Sequence, residues 1–323
     1  MFRAIHPSRA GPGYRHKTSD CNAALQEMTN WREQKYPFSV YRYILRTPTL
    51  SPLRRLERQL PRLRIATWNL ARPIRNGHQK NARRLARIQE IDADIWVLTE
   101  TISTLAIDGY SSVFAPSLAN YHKEDESFTS VCSRWPIRQT LPTFDPYFAV
   151  CVEVDSSVGP MLVYGTIITY ANDRGPNGTS RRWEEHRKSL AAQVADWQQL
   201  RRKFPNHSFC IAGDFNQSRD GTGWYADQQS VEFLSRGLEE SSMQCITEMD
   251  MRKEGLSRAS VDHICVSQDL GAHIISVGAW EGRTPDNCVM SDHNGVYADI
   301  DTEFAVTSMR EVRFSVAGPG ESL

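Results

Sequence analysis

Short apolar runs that each meet a carboxylate, an amide or an imidazole recur along this chain, and a fold that accommodates them must gather several strand ends at one edge. Arg64-Ile65-Ala66-Thr67-Trp68 runs into Asn69, and Ile95-Trp96-Val97-Leu98-Thr99 runs into Glu100. Ser208-Phe209-Cys210-Ile211-Ala212 is followed by Gly213-Asp214-Phe215-Asn216, Asp262-His263 opens Ile264-Cys265-Val266, and Ser291-Asp292-His293 precedes an alternating run that ends at Ile300. Brief apolar segments bounded by turn residues read as strands. Side chains two apart on a strand face the same way, so Asp214 and Asn216 can serve one pocket, whereas His263 faces away from Asp262 and reads as structural.

Taken singly, each of these residues is an ordinary turn or capping residue. Together they supply Glu, Asp, Asn and His in separate strand-end clusters, which is the donor set of a hard-cation site with a titratable partner. Two helices are expected between the strands. Gln79 to Ile91 places Ala82, Leu85, Ile88 and Ile91 at helical spacing, with Arg83, Arg84 and Arg87 outward. Arg181 to Lys203 carries a stripe of Trp183, Leu190, Val194, Trp197 and Leu200, with Ser180 as its N-cap.

The formal charge is zero, but residues 1–64 hold 13 Lys/Arg against 4 Asp/Glu, which leaves the remainder acidic. We therefore separate a basic N-terminal extension (1–61), partly disordered at its Pro- and Gly-containing start, from a catalytic domain (62–304) and a tail (305–323). Basic residues alternate with aromatics in the extension, as at Tyr41-Arg42-Tyr43. Such a segment either holds a phosphate backbone and stacks bases, or packs on the acidic domain. No apolar stretch approaches the ~20 residues of a bilayer span, and no signal-peptide core opens the chain, so a cytoplasmic protein without a membrane anchor is expected. The seven cysteines lack metal-type spacing and mostly sit in apolar runs, which reads as reduced core thiols.

The ordered set Thr67-Trp68-Asn69, Leu98-Thr99-Glu100, Ser133-Arg134-Trp135-Pro136-Ile137, Gly213-Asp214-Phe215-Asn216, Val261-Asp262-His263-Ile264 and Ser291-Asp292-His293 resembles the endonuclease/exonuclease/phosphatase superfamily over about residues 62–301. The resemblance implies an α/β fold: a four-layered α/β sandwich with two packed mixed β-sheets flanked by helices. It also implies a Mg²⁺- or Mn²⁺-dependent phosphodiesterase in which Glu100, Asn69 and Asp292 attend the metal. Asp214 then orients or deprotonates the attacking water, Asn216 donates to the phosphate or the attacking group, and Asp262 orients a protonated His293 against a phosphate oxygen. Two positions depart from family patterns. Ala71 stands where abasic-site endonucleases carry a second acid, and Tyr164 to Tyr170 lacks the central-strand His of many members, Tyr170 being the residue that matches the abasic-site branch.

The missing His favours nucleic acid over phosphomonoesters as the substrate. A nuclease is therefore expected, with a phosphatase or phospholipid-headgroup phosphodiesterase as the alternative and a catalytically inactive binding module as the second. Arg174 and Arg181 are candidate substrate contacts in the loop before the longer helix. Arg219 and Trp224 are candidates in the loop after Asn216, which is otherwise a glycine-rich turn with an aromatic plug. DNA versus RNA, endo versus exo cleavage and oligomeric state are not written in these residues.

Overall fold

The computed structural model describes residues 62–119 and 121–303. The basic extension (1–61) and the tail (305–323) lie outside the described residues, as does Cys21. Two six-stranded sheets form the body. The first has the order β11 (Ile274–Trp280), β12 (Gly295–Asp301), β1 (Arg62–Asn69), β2 (Ile95–Ile102), β4 (Glu126–Ser133), β3 (Ser111–Phe114). The second has the order β5 (Ile137–Leu141), β6 (Ala149–Ser156), β7 (Gly159–Ile167), β8 (Ser208–Asp214), β10 (Asp262–Ser267), β9 (Met243–Cys245). Each sheet has a parallel pair at its centre, β1 with β2 and β7 with β8, and antiparallel pairings elsewhere.

A parallel pair needs a crossover long enough to return the chain to the same end, and here a helix supplies it in both sheets. Helix α1 (His78–Ile91) joins β1 to β2, and α2 (Glu184–Lys203) joins β7 to β8. The alternation of side chains then sorts each strand between two cores. Leu63, Ile65, Ile95, Val97, Val163, Cys210, Ala212, Ile264, Val296 and Ala298 meet between the sheets. The residues between them in sequence face outward. Ala66, Trp68, Trp96 and Leu98 pack with Ile88 and Ile91 of α1, while Leu162, Tyr164, Phe209 and Ile211 pack with Leu190, Val194 and Trp197 of α2 and with Leu234 and Leu238 of α3 (Gln228–Glu240). Helix, sheet, sheet and helices make the expected four-layered α/β sandwich.

Both helices differ in detail from the sequence reading. The buried side of α1 is Asn81, Arg84, Ile88 and Ile91, while Ala82 is exposed. That stripe has helical spacing too, and polar contacts hold it: Asn81 donates to the Ile74 carbonyl, and Arg84 donates to Asn81 at 2.8 Å. Arg84 is therefore 5% exposed rather than outward, and burial lowers its pKa to about 10. Helix α2 begins at Glu184, after Trp183 in a left-handed conformation (φ 68°), so Ser180 does not cap it. The Ser180 hydroxyl donates to Glu185 at 2.5 Å instead. The cysteines among the described residues are free and buried, as expected of core thiols.

Candidate active site

The parallel pairs put the carboxyl ends of β1, β2, β7 and β8 at one edge, and the antiparallel partners bring the starts of β4, β10 and β12 to the same edge. On β1 the inward series Leu63, Ile65, Thr67 ends on Asn69; on β8 the series Cys210, Ala212 ends on Asp214; on β10 Asp262 begins the series of Ile264 and Val266. The polar residues are thus the last inward-facing positions before the intersheet core opens to the edge. Asn69, of the first sheet, donates from Nδ2 to Oδ2 of Asp214, of the second, at 3.0 Å.

Asp214 and Asp262 are directly opposed across β8 and β10, and both are essentially buried. Like charges facing each other on adjacent strands repel, so the pair needs a cation or a proton between them. His293 provides it. Its Nδ1 lies 2.7 Å from Oδ2 of Asp262, and its Nε2 lies 3.9 Å from Oδ2 of Asp214. Burial opposes the charge of this imidazole, but the carboxylates of Asp262 and Asp214 outweigh it and raise the pKa to about 10. Burial, with the charges of Asp262 and Glu100 added, outweighs the opposing pull of His293 and raises Asp214 to about 7. The imidazole is therefore cationic at neutral pH, while Asp214 sits where it can accept or release a proton.

Asn216 fixes the second oxygen of Asp214. Its backbone N–H donates to Oδ1 at 2.8 Å, and its Nδ2 donates to Oδ2 at 3.2 Å and to the Ile168 carbonyl at 2.9 Å. This geometry requires a left-handed backbone at Asn216 (φ 48°), a conformation in which Asn is enriched among non-glycine residues. Gly213 is required one residue before Asp214, where φ is 141° and an added Cβ would stand 1.9 Å from the Thr166 carbonyl oxygen. The His293 loop is pinned to the first sheet. Ser291 Oγ donates to the Asn69 carbonyl at 2.6 Å and accepts from the His293 N–H at 3.0 Å, while Trp68 Nε1 donates to the His293 carbonyl at 3.1 Å.

Glu100 lies inside β2 rather than at its end, in a left-handed conformation (φ 44°). Burial raises its carboxyl pKa, and the exposed Asp292 adds to that rise, while His293, Asn69 and Arg72 oppose it. A desolvated carboxylate beside a second acid and an amide suits a hard divalent cation, which prefers oxygen donors. Among the described residues, Asp214, Asp262 and His293 also place potential ligand atoms within 4.8 Å of one another, and Oδ1 of Asp262 is buried without a partner. There, however, the imidazole Nδ1 is already engaged by Asp262. The donor chemistry at this edge therefore fits a divalent metal.

Tyr170 is half-buried, and its hydroxyl stays neutral because burial, then Asp173, Tyr121 and Tyr225, push its pKa up. Arg174 and Arg181 are exposed. Trp224 is 50% exposed with the Arg258 guanidinium 5.3 Å from its ring centroid. Arg219 differs from the expectation of an exposed contact: its side chain is 7% exposed, donating to Glu248 at 3.0 Å and to Ser235 at 3.2 Å. Both partners are themselves exposed, while Nε and Nη1 of Arg219 are buried. His263 is likewise internal, its Nε2 3.0 Å from the Gln217 carbonyl and its Nδ1 3.2 Å from Thr247 Oγ1. The sequence reading missed Arg72 and Tyr121, which stand close enough to Glu100 for the charges to interact. The only sequence signal for Arg72 is a basic residue three positions past Asn69.

Several solved structures share this fold. The AP endonuclease LMAP from Leishmania major aligns with a TM-score of 0.57 at 17% identity, covering 88% of this chain and 99% of that one. The 3'-5' exonuclease NExo from Neisseria meningitidis aligns at 0.54 and 18% identity, covering 74% and 100%. An AP endonuclease from Archaeoglobus fulgidus aligns at 0.52 and 14% identity, covering 74% and 99%. No curated protein sequence matches the chain. Residues 66–293 match the Endonuclease/Exonuclease/phosphatase family, a span that runs from β1 to His293, and the chain belongs to that family as a metal-dependent phosphoric ester hydrolase.

Proposed function

We propose that the chain is a Mg²⁺- or Mn²⁺-dependent nuclease that hydrolyses nucleic-acid phosphodiester bonds by direct attack of water. The observation that carries this reading is the line Asp262, His293, Asp214, in which one imidazole stands between a carboxylate that orients it and a carboxylate able to exchange a proton. Glu100 and Asp292, supported by Asn69, would hold the metal. When bound, it would supply Lewis-acid stabilisation of charge on the phosphoryl oxygens.

The protein's own groups divide the remaining work. The 3.9 Å between Nε2 of His293 and Asp214 is too long for a hydrogen bond and leaves the imidazolium N–H free to donate to a phosphoryl oxygen. Asp214, fixed by Asn69 and Asn216, orients the attacking water and takes its proton as the new phosphorus–oxygen bond forms and the bond to the leaving oxygen breaks. Asp262 keeps the imidazole ring in one orientation throughout. The neutral hydroxyl of Tyr170 is a further donor to phosphate. Nucleic acid is favoured as substrate because the edge carries aromatic surface beyond the reacting groups. Trp224 with Arg258 would offer a stacking face for a base, and the exposed Arg174 and Arg181 would meet the backbone charge.

The test is cleavage of plasmid, single-stranded DNA, RNA, inositol phosphates and bis(p-nitrophenyl) phosphate with Mg²⁺, Mn²⁺ or EDTA. Wild type is compared with Glu100→Ala and His293→Ala. Metal-dependent cutting of nucleic acid that both substitutions abolish is the expected result. Hydrolysis confined to a small monoester would move the protein to phosphatase chemistry, and silence from a folded, metal-binding protein would leave a binding module.

A further inference from the structure

Leu70 to Arg72 leaves β1 through two consecutive non-glycine residues in the left-handed region, Ala71 and Arg72, both at φ 52°. Strain of this kind persists only where the surroundings impose it, and it concentrates at functional sites. Here the site imposes it. The Ala71 N–H donates to Oδ1 of Asn69 at 2.8 Å, and the Arg72 N–H donates to the Glu100 carbonyl at 3.0 Å. The turn thereby sets the backbone of Arg72 against that of Glu100, and the two side-chain charges act on each other.

The guanidinium is held on one side only. Nη2 donates to Oε2 of Glu126 at 2.7 Å and to the Tyr121 carbonyl at 3.2 Å, and the group lies 4.7 Å from the centroid of the Tyr121 ring. Glu126 is 4% exposed and also accepts from the Lys123 N–H at 2.9 Å. A carboxylate buried at the start of β4 is costly unless it is paired, and its partner is this arginine. Nε and Nη1 have no hydrogen-bond partner among the described residues, and the side chain is 33% exposed. One edge of a planar fork is thus clamped, its face is stacked, and its other donors are open on a residue whose backbone bonds that of Glu100. Planar guanidinium donors match the paired oxygens of a phosphate.

We propose that Arg72 is a substrate-binding residue whose free guanidinium edge, oriented by Glu126 and Tyr121, grips the non-bridging oxygens of the phosphoryl group that meets Glu100. The fork takes any phosphoester, so it rests on the hydrolase chemistry of the edge and not on the choice of nucleic acid. It also places a fixed cation in the loop where Ala71 leaves out a second acid, so part of the phosphate charge is met by protein rather than by metal.

The test uses the full chain and two variants, Arg72→Gln and the double variant Arg72→Gln/Glu126→Gln, the second removing the unpaired buried carboxylate so that loss of folding is not mistaken for loss of binding. Affinity for inorganic phosphate is measured by isothermal titration in Mg²⁺, and Mn²⁺ affinity by electron paramagnetic resonance. The expected result is phosphate binding at least tenfold weaker in both variants and Mn²⁺ binding equal to or tighter than wild type. On bis(p-nitrophenyl) phosphate, KM should rise more than kcat falls. Phosphate affinity in the double variant within threefold of wild type, or no phosphate binding by the wild type, overturns the proposal; any larger loss upholds it. A wild type that binds phosphate through Arg72 yet hydrolyses no phosphoester would sink the nuclease reading and leave the arginine site standing.

Discussion

Replacing Asn216 separates two jobs that the structure assigns to one residue, the left-handed turn after Asp214 and the amide strut that fixes its carboxylate. In Asn216→Gly the turn is free of strain and only the amide is lost. The backbone N–H bond to Asp214 survives, while the 3.2 Å contact to Oδ2 and the 2.9 Å bond to the buried Ile168 carbonyl disappear. One modest charge-assisted bond and one neutral bond amount to about 2 kcal/mol. Asn216→Ala loses the same contacts and must also hold a Cβ at φ 48°, which adds roughly 1 kcal/mol. For a domain of this size ~1 kcal/mol moves Tm by about 2–4 °C, so glycine should lower Tm by about 4–8 °C and alanine by a few degrees more. Both should cost about 10²-fold in kcat on a phosphodiester, because Asp214 loses its orientation in either case. Thermal unfolding and steady-state hydrolysis of bis(p-nitrophenyl) phosphate read the two effects separately. A glycine variant with wild-type kcat would refute the strut, and an alanine variant as stable as glycine would refute the strain.

Asp262→Asn removes the anion that holds His293 at 2.7 Å, and kcat should fall by about 10²–10³ with a smaller change in KM, measured by initial rates in saturating Mn²⁺; a change below threefold would show that the pair is not used. His186 is fully buried with Nδ1 2.7 Å from the Thr169 carbonyl, and burial lowers its pKa from 6.5 to about 4. The unfolded chain therefore takes up a proton that the folded chain refuses, so stability should fall as pH drops below 6.5, by about 2 kcal/mol at pH 5. Between pH 7 and pH 5 the stability change from urea unfolding should be less favourable in the wild type than in His186→Gln by this amount, the other titrating groups being common to both. Trp224→Ala should weaken single-stranded DNA binding by about 1–3 kcal/mol per stacked base. It should leave hydrolysis of bis(p-nitrophenyl) phosphate unchanged, and equal DNA affinity in a nitrocellulose filter assay would count against the stacking face.

The convergence of Asn69, Asp214 and Asp262 was legible because each terminates or begins an inward-facing series, and strand alternation is written directly in the sequence. Leu63, Ile65, Thr67 and Asn69 follow one parity, and Cys210, Ala212 and Asp214 another, so the last polar residue of each faces the gap between the sheets. The four layers followed for the same reason. Where readings failed, a side chain chose a partner that spacing does not encode. Arg84 turned inward to Asn81 although its helical position allowed either face. Arg219 buries most of its side chain while bonding the exposed Glu248 and Ser235, although it lies in a glycine-rich loop. Arg72 and Tyr121 escaped notice because they come together only after β1 and β4 have taken their places in the first sheet, far apart in sequence.

The same separation explains why the site depends on the alignment of two sheets and not on either alone. Asn69, Glu100 and His293 are carried by the first sheet and its loops, while Asp214, Asn216 and Asp262 belong to the second. Direct contacts across the gap include the bond from Asn69 to Asp214 and the pair of His293 with Asp262. Both are charge-assisted, and both lie at the rim of a core packed with branched side chains, where a shift of one sheet against the other requires many contacts to slip together. A rigid core behind a rim of polar bridges holds Asp214 and His293 at a fixed separation without any covalent link. The loop of Ala71 and Arg72 sits on the same rim with its strain anchored by Asn69 and Glu100, so a substitution at Asn69 should disturb the proton-exchanging carboxylate and the arginine fork at once.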